Sequence, residues 1–315
     1  MIKDPVRQTG RPDTDAPAVD RNRQVGLIGW PVEHSVSPAM HNAAFAALGL
    51  RWHYTLLPTP PGGVQTVMHQ LRSLDFQGAN VTVPHKQAVM PYLDHVTDAA
   101  RAIGAVNTIV LGGGSGQSRA DRPLTGYNTD GGGFLAALQE AGFEPSGRCA
   151  LVLGAGGGAR AVAHALVRAG CSVMIHNRGE ERAARLASDL QDLHAEAGVS
   201  WLPGDLASAN LDLAVFDLLV NATSVGMWPD VDASPWPETL ALPPHWMVFD
   251  LVYNPAETRL LARASAAGAK AVGGLGMLVH QGALAFELWT GCSPPVDVMY
   301  TAAHEALHGA VPGAA

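Results

Sequence analysis

Cys149-Ala150-Leu151-Val152-Leu153-Gly154-Ala155-Gly156-Gly157-Gly158-Ala159 decides the fold. Cys149 to Leu153 is an uncharged apolar run of strand length, and a segment of helical spacing continues from the glycines to Ala169. Gly154, Ala155, Gly156, Gly157, Gly158 and Ala159 have the form G-x-G-x-x-A between them. A glycine-rich loop alone says little. Placed between a strand and a helix of a βαβ unit, it lets the backbone approach a pyrophosphate while the helix N-terminus offers N–H groups and partial positive charge. The stretch therefore predicts a dinucleotide site.

The next strand, Ser172–His176, sharpens the cofactor. A site for NAD places a carboxylate at the end of this strand, on the ribose hydroxyls. Here the strand runs into Asn177-Arg178, with Arg182 one turn on. A guanidinium suits a 2′-phosphate, so the expectation is NADP. Glu180 and Glu181 weaken that preference if they fold toward the site.

Further strands at Phe216–Asn221, Met247–Tyr253 and Lys270–Val272, with helices at Glu181–Leu193 and Glu257–Ala267, complete a parallel unit. On the N-terminal side, strands at Val25–Ile28, Trp52–Leu57 and Ala79–Val83 alternate with helices at Ala39–Leu48, Gly63–Leu74 and Thr97–Ile103. Such alternation implies a sheet covered on both faces. Asn107–Leu111 and Leu124–Tyr127 read as a hairpin with a glycine-rich tip at 112–118 that carries no chemistry. A helix from Asp130 to Ala141 follows the junction between the two units. The last helical stretches, Gly276–Trp289 and Val296–Leu307, have no new sheet to cover and are expected to return to the first unit. The fold class is thus α/β and two-lobed. Residues 24–129 plus 274–315 form a substrate lobe with a mainly parallel sheet, and residues 130–273 a Rossmann-type nucleotide lobe. Residues 1–23, polar and without an apolar signal core, read as a disordered extension.

Composition narrows the function. The chain has 315 residues and a net charge of -8, with 47% hydrophobic and 15% charged residues. Without a basic stripe, nucleic acid is an unfavoured partner. No run approaches the roughly 20 apolar residues of a membrane span. Cys149, Cys171 and Cys292 are few, odd in number and widely spaced, which argues against a disulfide or metal role and for the cytoplasm. His34, His41 and His85 match no standard zinc spacing, so no metal is expected.

Polar residues gather at element ends. Gly29-Trp30-Pro31-Val32-Glu33-His34-Ser35-Val36-Ser37-Pro38-Ala39-Met40-His41-Asn42 joins a strand to a helix through two hydroxyls, with a proline able to open the helix. Ala79-Asn80-Val81-Thr82-Val83-Pro84-His85-Lys86 ends a strand, with Asn80 and Thr82 on one face and Lys86 past the sheet. Ala105-Val106-Asn107-Thr108 and Gly126-Tyr127-Asn128-Thr129-Asp130 add further polar groups. A hydride-transfer site must also move a proton to or from the substrate oxygen, and a lysine beside a carboxylate can do so.

These segments, together with Asn221-Ala222-Thr223-Ser224-Val225-Gly226-Met227, Asp250-Leu251-Val252-Tyr253-Asn254-Pro255 and Gly274-Leu275-Gly276-Met277-Leu278-Val279-His280-Gln281, occur in the order of the shikimate dehydrogenase family, which the chain resembles from Val25 to Leu307. The resemblance implies reversible, NADPH-dependent reduction of 3-dehydroshikimate to shikimate. It implies Lys86 and Asp130 as the catalytic pair and Ser35 and Ser37 at the substrate carboxylate, with Tyr253 near it. Asn80, Thr82, Asn107, Asp130 and Gln281 would meet the ring hydroxyls. Asn177, Arg178 and Arg182 would hold the ribose phosphate. Thr223, Ser224, Gly274 and Met277 would border the nicotinamide, with core packing an equal role for Met277. Gly179 stands where many members have Thr. The readings kept beside this one are a quinate/shikimate dehydrogenase using NAD or NADP, and a non-catalytic dinucleotide-binding regulator. The partner is a small molecule, and the protein acts as a monomer or homodimer.

Overall fold

The computed structural model describes residues 23–73, 75–113, 122–209 and 211–309. The expected extension lies outside these residues up to position 22, and so does most of the glycine-rich hairpin tip, from Gly114 on.

The central strands are short apolar runs, and Leu218–Asn221 and Met247–Asp250 are buried at every position. In the first lobe β1 (Arg23–Gly29), β2 (Trp52–Pro58), β3 (Phe76–Val81), β4 (His95–Val96), β5 (Thr108–Leu111) and β6 (Leu124–Tyr127) form one sheet in the order β2-β1-β3-β5-β6-β4. β1 runs parallel to β2 and β3, β4 parallel to β6, and β5 antiparallel to β3 and β6. Helices α1 (Ser37–Ala47), α2 (Val64–Ser73) and α3 (Asp98–Ile103) belong to this lobe. Pro38 sits in the first turn of α1, where its missing N–H costs no helical bond.

After α4 (Asp130–Glu140), the second lobe contains β7 (Cys149–Leu153), α5 (Gly157–Arg168), β8 (Ser172–His176), α6 (Glu180–Leu193), β9 (Val199–Leu202), β10 (Leu218–Asn221), β11 (Met247–Asp250), α7 (Arg259–Ala266) and β12 (Lys270–Val272). Its sheet order is β12-β11-β10-β7-β8-β9, parallel at every ladder. That is the doubly wound order, whose switch point lies between β7 and β10. Two apolar clusters pack on the two faces, one with Val152, Val162, Leu166 and Ile175, the other with Leu151, Trp236, Trp246 and Val248.

Two strands escaped the sequence reading. β9, Val199-Ser200-Trp201-Leu202, is a strand of four residues that pairs, among the described residues, with β8 alone, and β4 has two residues. Two strands end earlier than expected. β3 stops at Val81 rather than Val83, ahead of Pro84, which has no N–H for a ladder. β11 stops at Asp250 rather than Tyr253, because the Asp250 carboxylate captures the Val252 amide at 3.0 Å and turns the chain.

The final helices, α8 (Leu275–Thr290) and α9 (Val296–Gly309), return to the first lobe as expected. Val279, Ala283, Phe286, Trp289, Met299 and Ala303 join Val25, Leu27, Met40 and Phe45 in one core. Full burial of a side chain such as Phe286 stabilises by about 1.5–3 kcal/mol. Trp289 also donates to the Ile109 carbonyl at 3.0 Å. The first turn of α8 reaches the other way, since Met277 is packed into the nucleotide-lobe core. α8 therefore belongs to both lobes.

Three buried titratable groups make stability depend on pH. His41 lies fully buried, its ring stacked 4.5 Å from Tyr54 at an interplanar angle of 4°, and burial pushes it down to about 3. His164 of α5 is pushed down to about 4, by burial first and then by His194 and Arg168. Both refuse a proton that the unfolded chain takes up near pH 6.5, so their contribution is complete above that pH and is lost as the pH falls. Asp250 acts in reverse: burial raises it to about 6, so between its unfolded value and pH 6 the folded state holds the extra proton. Two protons against one leave a net loss of stability on acidification. Urea unfolding is expected to show the protein less stable at pH 5 than at pH 7 by on the order of 2 kcal/mol, with a plateau above pH 7. A flat profile from pH 5 to 7 would contradict the neutral burial of both imidazoles.

Candidate active site

The turn after β3 meets the glycine turn after β7, a strand at the switch point of the nucleotide sheet. On the nucleotide side, β7 turns at Gly154, whose φ of +115° favours glycine. A Cβ there would also stand 2.9 Å from the Ala222 carbonyl, so the glycine loop lies directly against the 221–224 turn. A Cβ on Gly156 would meet nothing within 4 Å, so there is open space beside that backbone. α5 begins at Gly157, and no side chain caps it. An open glycine turn followed by an uncapped helix N-terminus is a fit for a dinucleotide pyrophosphate.

At the end of β8, Asn177 donates to the Gly179 carbonyl at 2.9 Å, tying the turn on which the exposed Arg178 and Arg182 stand. Glu180 is turned away: its carboxylate accepts from the Gly204 amide at 3.0 Å. On the other side, Asn221 holds the Thr223 amide and hydroxyl at 3.0 and 2.7 Å, with Ser224 exposed beside them. A Cβ on Gly274 would collide with the Leu251 carbonyl at 2.2 Å, so this glycine is needed for packing next to the site. Met277, expected at the nicotinamide or in the core, is buried in the core.

On the substrate side, the turn after β3 carries Lys86. His85 pins that turn to the Thr59 carbonyl at 2.6 Å, and the Val106 amide donates to the Lys86 carbonyl at 2.8 Å. Lys86 Nζ then donates to Asp130 Oδ2 at 2.5 Å, with side-chain exposures of 17% and 5%. Asp130 opens α4, where the helix dipole favours a carboxylate. Its Oδ1 accepts from Asn107 Nδ2 at 2.8 Å, and its amide donates to Asn128 Oδ1 at 3.0 Å. Gln281 Oε1 lies 3.2 Å from the same Asn107 nitrogen. A Cβ on Gly157 would stand 3.0 Å from Lys86 Cβ and 3.2 Å from its Cδ, so the lysine stem rests on the first turn of α5. The Lys86 side chain of one lobe thus meets the glycine loop of the other.

From Lys86 and Asp130 a chain of hydrogen bonds runs through Asn107 and Asn80 to Tyr54. Ser35 Oγ accepts from the Ser37 amide at 3.2 Å and donates to the Ser37 hydroxyl at 3.1 Å. Ser35 interacts with the Tyr253 phenol and Ser37 with the Tyr54 phenol; burial pushes both phenols up, and the serines work against it. Tyr54 donates to Asn80 Oδ1 at 2.9 Å, while Asn80 Nδ2 reaches the Asn107 carbonyl at 3.2 Å and Thr108 Oγ1 at 3.1 Å. Thr82 follows β3, half-buried, its amide on the Ile28 carbonyl at 2.8 Å. Sequence reasoning missed Tyr54. No motif marks it, and only the register across β1 brings it to Asn80.

The histidines that looked like a cluster serve apart. His34 packs against Trp228 with ring centroids 4.2 Å apart, His41 is in the core, and His85 holds its turn. Among the described residues no group of three or more His, Cys, Asp or Glu could hold a metal ion. Among them, too, no helix is long and apolar enough to cross a membrane.

The chain is similar to known proteins in sequence and in fold. Residues 27–109 match the shikimate dehydrogenase substrate binding domain, 137–226 the shikimate / quinate 5-dehydrogenase family and 274–304 the shikimate 5'-dehydrogenase C-terminal domain. The shikimate dehydrogenase (NADP(+)) of Moorella thermoacetica is 50% identical over 284 residues, 90% of this chain and 93% of that protein. The crystal structure of shikimate 5-dehydrogenase from Thermus thermophilus in complex with NADP(H) and shikimate is 43% identical. It covers 90% of this chain and 100% of its own, with a TM-score of 0.78. Quinate dehydrogenase from Corynebacterium glutamicum in complex with NAD is 33% identical, with a TM-score of 0.77 over 89% of this chain and 98% of its own.

Proposed function

The chain belongs to the shikimate dehydrogenase family, and from that premise we propose that it reduces 3-dehydroshikimate to shikimate reversibly with NADPH, using Lys86 and Asp130 for proton transfer. The observation that carries this reading is the position of Lys86, bonded to Asp130 at 2.5 Å and resting on Gly157 of the nucleotide loop. Residues 24–129 and 274–315 serve the substrate, and 130–273 the cofactor.

When bound, the cofactor supplies the hydride. As the substrate carbonyl carbon is reduced, charge builds on its oxygen, and the Lys86 ammonium donates a proton there. Asp130 keeps the ammonium in place. Asn107, itself gripped by the Thr129 hydroxyl at 2.8 Å, keeps Asp130 in place. Ser35, Ser37 and Tyr253 take the substrate carboxylate. Asn80, Thr82, Asn107, Asp130 and Gln281 orient the ring. The glycine loop from Gly154 to Ala159 takes the pyrophosphate, and Asn177, Arg178 and Arg182 the ribose phosphate. Thr223, Ser224 and Gly274 flank the nicotinamide. In the oxidising direction the proton of the substrate hydroxyl leaves by way of the same Lys86 amine. The enzyme acts on a small molecule in the cytoplasm, as a monomer or homodimer.

Relatives of similar fold take quinate and NAD, but here no carboxylate waits at the end of β8, and Glu180 is tied to Gly204. The test is a panel of shikimate and quinate, each with NADP and NAD, plus 3-dehydroshikimate with NADPH, followed by nicotinamide absorbance. Fastest turnover with shikimate and NADP supports the reading. Preference for quinate or NAD, or no turnover at all, rejects it.

A further inference from the structure

β10 and β11 end side by side, with Asn221 opposite Asp250. Asp250 is fully buried and receives three hydrogen bonds. Asn221 Nδ2 and the Val252 amide donate to its Oδ1 at 2.8 and 3.0 Å, and the Thr258 hydroxyl donates to its Oδ2 at 2.7 Å. Thr258 also caps α7 by accepting from the Leu261 amide.

The Asn221 amide is fully committed. Its nitrogen serves Asp250 and the Val225 carbonyl, and its oxygen serves the Thr223 amide and hydroxyl. The two ends of a primary amide have nearly the same shape and differ in which one donates. An acceptor facing Asn221 forces the nitrogen toward position 250, and so aims the oxygen at Thr223. The second bond, from the Val252 amide, fixes the chain one residue before Tyr253, whose phenol interacts with Ser35.

We infer that Asp250 is a positioning residue that sets two walls of the site together: through Asn221 the turn carrying Thr223 and Ser224, and through Val252 the placement of Tyr253 beside Ser35. What those walls hold, nicotinamide on one side and substrate carboxylate on the other, rests on the function proposed above. Stability alone is a poor reason for a carboxylate at this place, because burying a charge is costly and an apolar residue of like shape often packs as well. The acceptor's gain is a unique orientation for Asn221 and for the chain leading to Tyr253.

Asp250→Val keeps the branched shape and removes the acceptor, leaving three buried donors unpaired. It is expected to raise KM for NADPH and for 3-dehydroshikimate together, each about tenfold, the scale of one lost buried hydrogen bond. Asp250→Asn keeps an oxygen for Asn221 and Val252, and its amide nitrogen can donate to a rotated Thr258 hydroxyl. It should restore both KM values to within about threefold of the parent, again on the hydrogen-bond scale. KM does not depend on the fraction of active molecules, so partial unfolding does not imitate the effect. Unchanged KM values in Asp250→Val, a rise in one alone, or an equal loss in Asp250→Asn overturns the inference. If Asp250→Val does not fold, Asn221→Ala decides. A rise confined to NADPH supports the brace, while no rise or equal rises for both ligands overturn it. Turnover by the parent tests the proposed function separately. Fluorescence titration of NADPH and calorimetry of shikimate read the brace even if the parent binds both and does not turn over.

Discussion

Lys86→Ala is expected to lower kcat by about 10²-fold or more, the scale of general acid–base catalysis, with a smaller change in KM. The argument is one of placement. Lys86 is the cation that the turn after β3 brings against the glycine loop, and its amine sits 2.5 Å from a carboxylate at the start of α4. Without the ammonium, the oxygen that gains charge on reduction has no adjacent proton donor. The fold should survive, because Asp130 keeps its bond from Asn107 and its place at a helix N-terminus. A confounding effect is visible in advance, since the Lys86 stem packs on Gly157 and its loss could disturb the nucleotide loop. Lys86→Met keeps most of the stem and removes the charge. If proton transfer is the role, Met and Ala variants lose kcat alike. If packing is the role, Met recovers it. Near-normal kcat in either variant would remove Lys86 from the chemistry. Single-turnover reduction of 3-dehydroshikimate is the measurement that isolates the chemical step.

How far the sequence reaches into this site depends on the distance between partners along the chain. The strand–glycine–helix unit at 149–168 was legible because every part of it is local: apolar run, turn and helix adjoin. The turns carrying Ser35, Lys86 and Asp130 were legible as polar residues at element ends, and the resemblance to a family grouped them. Neither showed the bonds between them. Asn107 and Gln281 are 174 positions apart and meet only because α8 crosses back to the first lobe. Tyr54 sits in a strand with no local sign of chemistry, and its partner Asn80 lies two strands away, beyond β1. β9 was lost for a different reason. Four residues with exposed or half-buried positions among them give a weak period-2 signal, and an edge strand needs only one neighbour. The Asp250 carboxylate was quoted as part of a motif, but its buried partners could not be read before β10 and β11 were side by side.

Arg178→Ala is expected to raise KM for NADPH by about 10- to 100-fold while leaving KM for NADH nearly unchanged, since a charge-assisted hydrogen bond contributes about 1.5–3 kcal/mol. The reasoning again starts from the end of β8. Asn177 closes the turn onto the Gly179 carbonyl, so the turn is held by residue 177 and Arg178 is free to face solvent. Glu180, the nearest carboxylate that could favour a 2′-hydroxyl, is already bonded to the Gly204 amide. Gly179 itself offers no hydroxyl, so the phosphate must lean more on the two arginines than it would with a threonine there. Arg182 stands beside Gly179, its Nε 3.2 Å from where a Cβ of residue 179 would be, and is placed to share the load. Replacing both arginines should therefore cost more than either alone and bring the NADPH and NADH values together. The effect should also shrink at high salt in the parent, because both guanidinium groups are exposed and their attraction for a phosphate is screened. Equal KM values for NADPH in Arg178→Ala and the parent would place the phosphate elsewhere and reopen the choice between NADP and NAD.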